Sequence, residues 1–247
     1  MFTKIFSLAI AMLLLSIAPA FADNTITSLS DDEQAYVDEN LHILFDEGIL
    51  KGYPDGDFDG ENQVTRYEMG VALTRFYVNL LDEINDAGID LMEFVDIRSP
   101  VDGPIDMGDI PENHWAYNEI LRLEHMGVAT GYPDWTYQGT NKVKRYEFSV
   151  FLLRVVVLVD FGLWEAVPGY DGGFRHAQNI TPERLTDVPE EHWAQRDVHR
   201  LLLVGDISLA SDGTLEGEMT FTRNEMALVL LKLRERFIEE LEKISKI

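Results

Sequence analysis

The sequence predicts an all-α protein made of three pseudo-symmetric helix-loop-helix repeats. A short segment with arginine in second place and glutamate in fourth occurs three times, and its arginines are Arg66, Arg145 and Arg223. These arginines lie 79 and 78 residues apart, and a fixed period of this kind indicates a repeat architecture. After each segment, apolar residues recur at the intervals of an amphipathic helix, so the repeated unit is predicted to be helical.

The first element along the chain is a predicted secretory signal peptide at residues 1–22. Lys4 supplies its positive charge, residues 6–17 form an apolar run, and Ala20-Phe21-Ala22 matches the small-residue pattern of a cleavage site. A membrane-spanning helix needs about 20 apolar residues, and this run is shorter. We therefore expect an exported protein that is not an integral membrane protein.

The rest of the chain divides into three repeats separated by two inserts. Repeat 1 covers residues 23–82, repeat 2 covers 106–158, and repeat 3 covers 184–247 together with a C-terminal helix. The inserts cover residues 83–105 and 159–183. Each repeat is predicted to contain an apolar helix that stops at a glycine, a turn-rich loop and a second helix.

A recurring aromatic segment precedes the first helix of a repeat. Repeat 2 has Asp109-Ile110-Pro111 followed by His114-Trp115-Ala116, and repeat 3 has His192-Trp193-Ala194 at the same place. Repeat 1 departs from this pattern, because Ala35-Tyr36-Val37 stands there instead. The recurrence of the histidines beside tryptophan indicates a structural role for them, since no cluster of metal ligands surrounds them in sequence.

The loops between the two helices are rich in turn residues. They read Gly52-Tyr53-Pro54-Asp55-Gly56 in repeat 1 and Gly131-Tyr132-Pro133-Asp134 in repeat 2, whereas repeat 3 has Leu209-Ala210 in place of Gly-Tyr. The acidic residues from Asp55 onward resemble the start of an EF-hand calcium loop. Arg66 occupies the twelfth position, where that loop needs a bidentate glutamate, so no metal or other cofactor is predicted.

The second helix begins with a capping signature in two of the three repeats. Thr65 stands three residues before Glu68, and Thr222 stands three residues before Glu225, as in a capping box. Lys144 breaks this pattern in repeat 2, so its helix must be capped in another way. The apolar residues that follow are predicted to face the core.

Composition and motifs exclude several functional classes. The chain has no cysteine, which excludes disulfides and thiolate chemistry, and its formal net charge of −24 disfavours a nucleic-acid partner. The sequence contains no nucleophile elbow, phosphate-binding loop or zincin motif, and an enzyme is therefore not predicted. A pair of carboxylates arranged as in a glycosidase stays open, because acidic residues are so abundant.

The order of these landmarks resembles the S-layer homology domain of bacterial envelope proteins, over roughly residues 30–80, 106–158 and 184–236. The resemblance implies a three-fold bundle with grooves between neighbouring repeats. It also implies non-covalent anchoring to the cell envelope through an anionic, in some cases pyruvylated, cell-wall polysaccharide or peptidoglycan-linked glycan. We accordingly expect a location in the cell envelope, at the cell surface or in the periplasm.

The resemblance also implies which residues contact the glycan, and the candidates are Arg66, Arg145, Arg223, Trp115, Trp193, Gly52, Gly131 and Tyr132. An arginine in the first turn of a helix lies near free N–H groups and can take a carboxylate in two parallel hydrogen bonds. Tryptophan offers a flat face for a sugar ring. The alternatives are that each arginine pairs with a neighbouring acidic residue and that each tryptophan belongs to the core.

A second function stays open from the sequence. The repeats could have lost glycan binding and instead pair with another envelope protein or with a second copy of the chain. The run of residues 234–247, rich in Glu, Lys and Ile, would then be either the contact or the extended end of the last helix. Repeat 2 carries the most landmarks, so a groove that uses its residues is the best candidate for a glycan site.

Overall fold

The computed structural model describes residues 29–91, 107–172, 185, 187–204 and 214–246. The predicted signal peptide, residues 92–106 and 173–184 of the two inserts, and the Leu209-Ala210 turn fall outside these ranges. In the described part of the chain, all regular elements are helices, and extended pairing is limited to three isolated β-bridges. The all-α fold class is confirmed.

Each repeat contributes a first and a second helix. The first helices are α1 (Asp31–Asp46), α3 (Tyr117–His125) and α5 (Gln195–Val204). The second helices are α2 (Arg66–Asp86), α4 (Arg145–Ala166) and α6 (Arg223–Ile244). Every second helix begins at the arginine of the recurring segment, and α2 and α4 continue into the inserts.

The two predicted capping boxes are confirmed. The Thr65 hydroxyl accepts the backbone N–H of Glu68 at 3.2 Å, and the Glu68 carboxylate accepts the N–H of Thr65 at 2.8 Å. Thr222 and Glu225 make the same pair of bonds at 3.2 and 2.7 Å. These bonds satisfy backbone donors that the first turn of a helix leaves unpaired.

Helix α4 keeps only half of this arrangement. The N–H of Lys144 donates to the Glu147 carboxylate at 3.1 Å, but the lysine ammonium has no lone pair with which to accept a helix N–H. Helix α1 has a complete box between Ser30 and Glu33 that the sequence analysis did not identify. Three of the four described boxes or half-boxes at helix starts therefore belong to the recurring segment.

A closed ring of backbone hydrogen bonds joins the three repeats just before their second helices. Val64 donates to Phe221 at 2.8 Å, Phe221 donates to Val143 at 3.0 Å, and Val143 donates to Val64 at 2.9 Å. All three side chains are buried. Because each repeat both donates to one neighbour and accepts from the other, the described residues are arranged around a pseudo-three-fold axis.

Helix packing follows the same cyclic order. The first helix of each repeat packs against the second helix of the repeat before it: α3 on α2, α5 on α4, and α1 on α6. Helix α2 also contacts α4 and α6 near the axis. A single repeat thus leaves the apolar faces of both of its helices uncovered, and the core forms only when the repeats are assembled.

The last turns of α6 belong to the core. Phe237 and Ile244 are buried, and the Arg234 guanidinium donates through Nε to Glu47 at the end of α1, at 3.0 Å. Residues 234–244 are therefore the extended end of the last helix. Glu235, Glu239 and Glu242 on this run are exposed, so a contact with a partner through its outer face stays a prediction.

Candidate functional site

Each boundary between repeats is built from the start of one second helix and the loop of the following repeat, and we call these boundaries seams. In the first seam, Arg66 N–H donates to Asn141 at 2.9 Å and Tyr67 N–H donates to Gly139 at 2.8 Å. The second seam uses Arg145 and Tyr146 as donors, and the third uses Arg223 and Asn224. In each seam, the backbone N–H groups of the first two residues of the second helix thus donate hydrogen bonds within the protein.

Arg66 fastens the first seam from within. Its side chain is 3% exposed, Nη1 lies 2.7 Å from Glu147 Oε1, and Nε donates to the carbonyl of Tyr137 at 2.8 Å. The guanidinium lies 4.7 Å from the ring centres of Tyr132 and Tyr137. Such contacts stabilise a buried cation. The carboxylate that Arg66 binds here is supplied by the next repeat.

Arg223 repeats this arrangement in the third seam. Nη1 lies 3.1 Å from Glu68 Oε1, Nε donates to the Phe58 carbonyl at 2.8 Å, and Nη2 donates to the Lys51 carbonyl at 2.7 Å. The side chain is buried. Arg66 and Arg223, and also Arg145 through Glu225, therefore form internal ion pairs, which was the alternative arrangement for the arginines.

Arg145, in the second seam, has spare hydrogen-bonding capacity. Its Nη2 pairs with Glu225, but within the described ranges its buried Nε has no hydrogen-bond partner. The side chain is 14% exposed, against 3% for Arg66 and 6% for Arg223. An unpaired buried donor is costly, and this Nε lies within the protein. Arg145 is thus the least buried of the three arginines.

The glutamates of the seams each serve two helices. Burial raises the pKa of Glu68, but hydrogen bonds from Thr65 and the charge of Arg223 outweigh burial, so its pKa lies below the ordinary value. Burial and the hydrogen bond to Glu147 raise the pKa of Tyr132 to about 12. At neutral pH, Glu68 is therefore ionised and Tyr132 keeps the proton that it donates to Glu147 at 2.6 Å.

An aromatic cluster lies on the outer side of the first seam. The ring of Tyr67 packs 4.2 Å from that of His114 and 6.0 Å from that of Trp115. Trp115 is 60% exposed. His114 accepts the backbone N–H of Ala116 through Nδ1 at 3.3 Å, which agrees with the structural role predicted for this histidine.

The second seam carries an equivalent cluster. Tyr146 packs 4.3 Å from His192, which lies 5.6 Å from Trp193, and Trp193 is 62% exposed. Both tryptophans are therefore surface residues, and the alternative that they belong to the core is wrong. Large exposed aromatic side chains at equivalent positions are typical of a binding surface.

Two glycines make room for these clusters. A Cβ at Gly139 would lie 2.2 Å from the Tyr67 ring, and one at Gly217 would lie 1.9 Å from the Tyr146 ring. Only glycine allows each ring to lie directly against the neighbouring loop. Sequence reasoning missed these tyrosines and glycines. The glycine recurs in register in repeats 1 to 3 and the tyrosine in repeats 1 and 2, so a comparison of the repeats could have found both.

The third seam is polar where the other two are aromatic. Asn224 stands in the place of the tyrosine, and its amide donates to Gln34 at 2.9 Å and to Glu61 at 3.0 Å. Ala35 and Tyr36 replace the histidine and tryptophan. In the third seam, side chains joined by internal hydrogen bonds therefore occupy the space that an aromatic cluster occupies in the other two seams.

The remaining candidates lie in the loops. A Cβ at Gly52 would lie 3.1 Å from the Asp57 carbonyl oxygen, and one at Gly131 would lie 3.0 Å from Met107 Cγ, so both glycines are needed for close packing inside the loop. Both are also exposed. Tyr132 is half-buried beneath Arg66.

Two other possibilities concern metals and membranes. In the part of the chain that the structure describes, no three His, Asp or Glu side chains are grouped so that they could hold a metal ion, and this includes the acidic loop from Asp55 to Asp59. None of the described helices combines the length and the apolar composition needed to cross a bilayer.

Comparison with known proteins gives a family match. The family model described as the S-layer homology domain matches residues 30–69 and 106–149. The chain is similar to Cell surface glycoprotein 1 of Acetivibrio thermocellus, with 28% identity over 76% of the chain and 7% of that protein. It is 27% identical to the Cellulosome-anchoring protein of the same organism over 76% of the chain and 36% of that protein.

A third relative comes from a different bacterium. The chain is 25% identical to Outer membrane protein alpha of Thermotoga maritima over 55% of the chain and 32% of that protein. The matches thus cover about a third of these relatives' length or less.

Proposed function

We propose that the chain, which matches the family model of the S-layer homology domain at residues 30–69 and 106–149, binds non-covalently to a bacterial cell envelope. Repeat 3 lies outside the matched residues, but its Arg223 and Glu225 make the same kinds of contact as their counterparts in repeats 1 and 2. We propose a binding role without catalysis. The relatives include one named for anchoring and others named as surface or outer membrane proteins.

The ligand that we propose is an anionic cell-wall polysaccharide or peptidoglycan-linked glycan. The observation that carries this proposal is the pair of exposed tryptophans, Trp115 and Trp193, at equivalent positions of the first and second seams. A sugar ring has an apolar C–H face that packs on an indole, and its hydroxyls stay hydrogen-bonded at the rim. An apolar protein partner would instead favour a continuous apolar patch.

The acidic groups of the glycan would need a local cation, because the chain as a whole carries a formal charge of −24. Arg145 is the proposed contact at the second seam, since its side chain is the least buried of the three arginines. Arg66 and Arg223 are proposed to shape their seams, with Tyr132, Gly52 and Gly131 forming the adjacent loop walls. Direct contact of a ligand with Arg66 would require the ion pair between Arg66 and Glu147 to break.

The two functions that the sequence left open are not equally supported. A contact with another envelope protein through residues 234–247 has less support, because Phe237 and Ile244 are buried within the protein's own core and only the other face of this run is exposed. The glycan site has two equivalent exposed clusters that are otherwise unexplained. We therefore favour envelope anchoring through glycan over a purely structural module.

The test is sedimentation of the purified protein with cell-wall sacculi from the organism that encodes it. One sample of sacculi keeps its polysaccharide and the other is chemically extracted. We expect binding to the intact sacculi only, and at least a 10-fold loss of affinity when Trp115 and Trp193 are both replaced by alanine. Arg145→Ala is expected to reduce binding as well, through the loss of the cation.

Trp164→Ala is the matched control, because Trp164 is also exposed but lies on α4, away from the seams. It should bind as the wild type does. Circular dichroism and the melting temperature of every variant show whether the fold is retained. Equal binding by the wild type and the Trp115→Ala, Trp193→Ala variant would exclude the aromatic clusters as the site.

A further inference from the structure

Trp135 is the most exposed of the large apolar side chains in the described ranges. Its exposed fraction is 71%, higher than that of Trp115 or Trp193. It lies in the loop of repeat 2, outside the recurring His-Trp-Ala segment. The family resemblance implies no role for Trp135. Packing within the fold does not account for a tryptophan at so exposed a position.

The backbone at Trp135 adopts a conformation that favours glycine. Its φ is +61°, in the left-handed region that bulky residues rarely occupy. The residue in register in repeat 1 is Gly56, with φ of +94°, and the sequence places Gly213 in register in repeat 3. Repeat 2 therefore carries tryptophan where the fold favours glycine, and backbone strain of this kind is a reason to look for function.

Local hydrogen bonds hold the loop in this conformation. Trp135 N–H donates to the Tyr132 carbonyl at 2.9 Å, and the Trp135 carbonyl accepts the N–H of Gly108 at 3.0 Å. Asp134 accepts the backbone N–H of Thr136 at 3.1 Å. The backbone that carries the indole is thus held in place, which lowers the entropic cost of ordering the loop around a ligand.

The position of the loop places Trp135 at the first seam. Tyr132, three residues earlier, lies under the Arg66 guanidinium and donates to Glu147, while Tyr137, two residues later, packs 5.7 Å from Tyr67. Tyr67 in turn contacts Trp115. The same loop therefore connects Trp135 with the aromatic cluster that we propose as a glycan site.

We propose that Trp135 is an additional sugar-binding residue, which stacks on a further ring of the glycan bound at the first seam. This inference rests on the proposed function. The neighbours of Trp135 favour a sugar over an apolar protein segment, because Asp134, Thr136 and Gln138 form a connected polar rim with a Gln138-to-Thr136 bond of 3.0 Å. A sugar can use both the indole face and such a rim.

The experiment compares Trp135→Gly and Trp135→Asn with the wild type, using the intact and extracted sacculi described above. Glycine and asparagine both tolerate the left-handed conformation, so neither should impair folding. Trp164→Ala again controls for the loss of an exposed tryptophan. Each variant is measured for its affinity in sedimentation and for its melting temperature.

We expect both substitutions to weaken binding to intact sacculi by about 5-fold to 30-fold, the range for losing one stacking contact worth roughly 1–2 kcal/mol. The melting temperature should stay the same or rise. Wild-type affinity in both variants would overturn the proposal, and so would a melting temperature lowered by several degrees, which would show that Trp135 stabilises the fold.

The two proposals can fail separately. If Trp115→Ala weakens binding and the Trp135 variants do not, the envelope-binding function stands and the additional contact is wrong. If the wild-type protein does not sediment with intact sacculi, the proposed function itself is wrong.

Discussion

Glu68 illustrates how one side chain stabilises two repeats at once. Its carboxylate caps α2 through the backbone and hydroxyl of Thr65, and it also receives Nη1 of Arg223 from the neighbouring repeat. Glu147 and Glu225 have the same two roles with Arg66 and Arg145. The glutamate of the recurring segment therefore contributes both to helix initiation and to the association of the repeats.

The pKa of Glu68 predicts a pH dependence of stability. Because the pKa in the folded state lies below its ordinary value of 4.5, the ionised carboxylate stabilises the fold fully above about pH 4.5. That contribution is lost as the pH falls through the folded-state value. Glu68→Gln should therefore lower the free energy of unfolding at pH 7 and reduce its loss between pH 5 and pH 3.

Urea unfolding at several pH values measures this effect. Glu39→Gln is the control, since Glu39 is exposed on α1 and should leave the pH profile of the wild type unchanged. A Glu68→Gln protein with the stability and the pH profile of the wild type would show that the seam carboxylate contributes nothing.

At the scale of a helix, the start of α4 is the least well capped of the three second helices. Thr65 and Thr222 accept a first-turn N–H through their hydroxyls, while Lys144 cannot. Lys144 instead pairs with Glu218 at the surface. An exposed ion pair of this kind contributes little, so the missing cap is the larger effect.

Lys144→Thr is accordingly expected to stabilise the protein by about 0.5–1 kcal/mol, the usual contribution of a side-chain cap. Thr65→Lys, which removes the side-chain cap of α2, should destabilise the protein by a similar amount. Thermal and urea unfolding of both variants measure the two changes. Lys144→Thr with unchanged or lower stability would indicate that the Glu218 pair matters more than the cap.

The helix starts could be predicted from sequence because capping is local and joins residues three positions apart. The ion pairs of the seams could not, since Arg66 and its partner Glu147 are 81 residues apart and the chain offers 44 acidic residues. The exposure of Trp115 could also not be predicted from the sequence pattern alone. A tryptophan beside a helix start is compatible with either the core or the surface until the packing of Tyr67 and His114 is known.

At the scale of the whole molecule, the cyclic order of the repeats gives three seams that are alike in backbone and different in surface. The first and second seams expose Trp115 and Trp193, and the third has Asn224 bonded to Gln34 and Glu61. The ring stabilises all three seams, whereas the surface proposed for glycan is present at two. We therefore expect two glycan sites for each chain, of which only the site at the second seam has Arg145 beside it.

Isothermal titration calorimetry with oligosaccharide fragments released from the sacculi tests this claim most directly. We predict two sites per chain for the wild type, one for Trp115→Ala and one for Trp193→Ala, with no binding when both tryptophans are replaced. Binding that is unchanged in the protein lacking both tryptophans would contradict the account, as would three equivalent sites in the wild type.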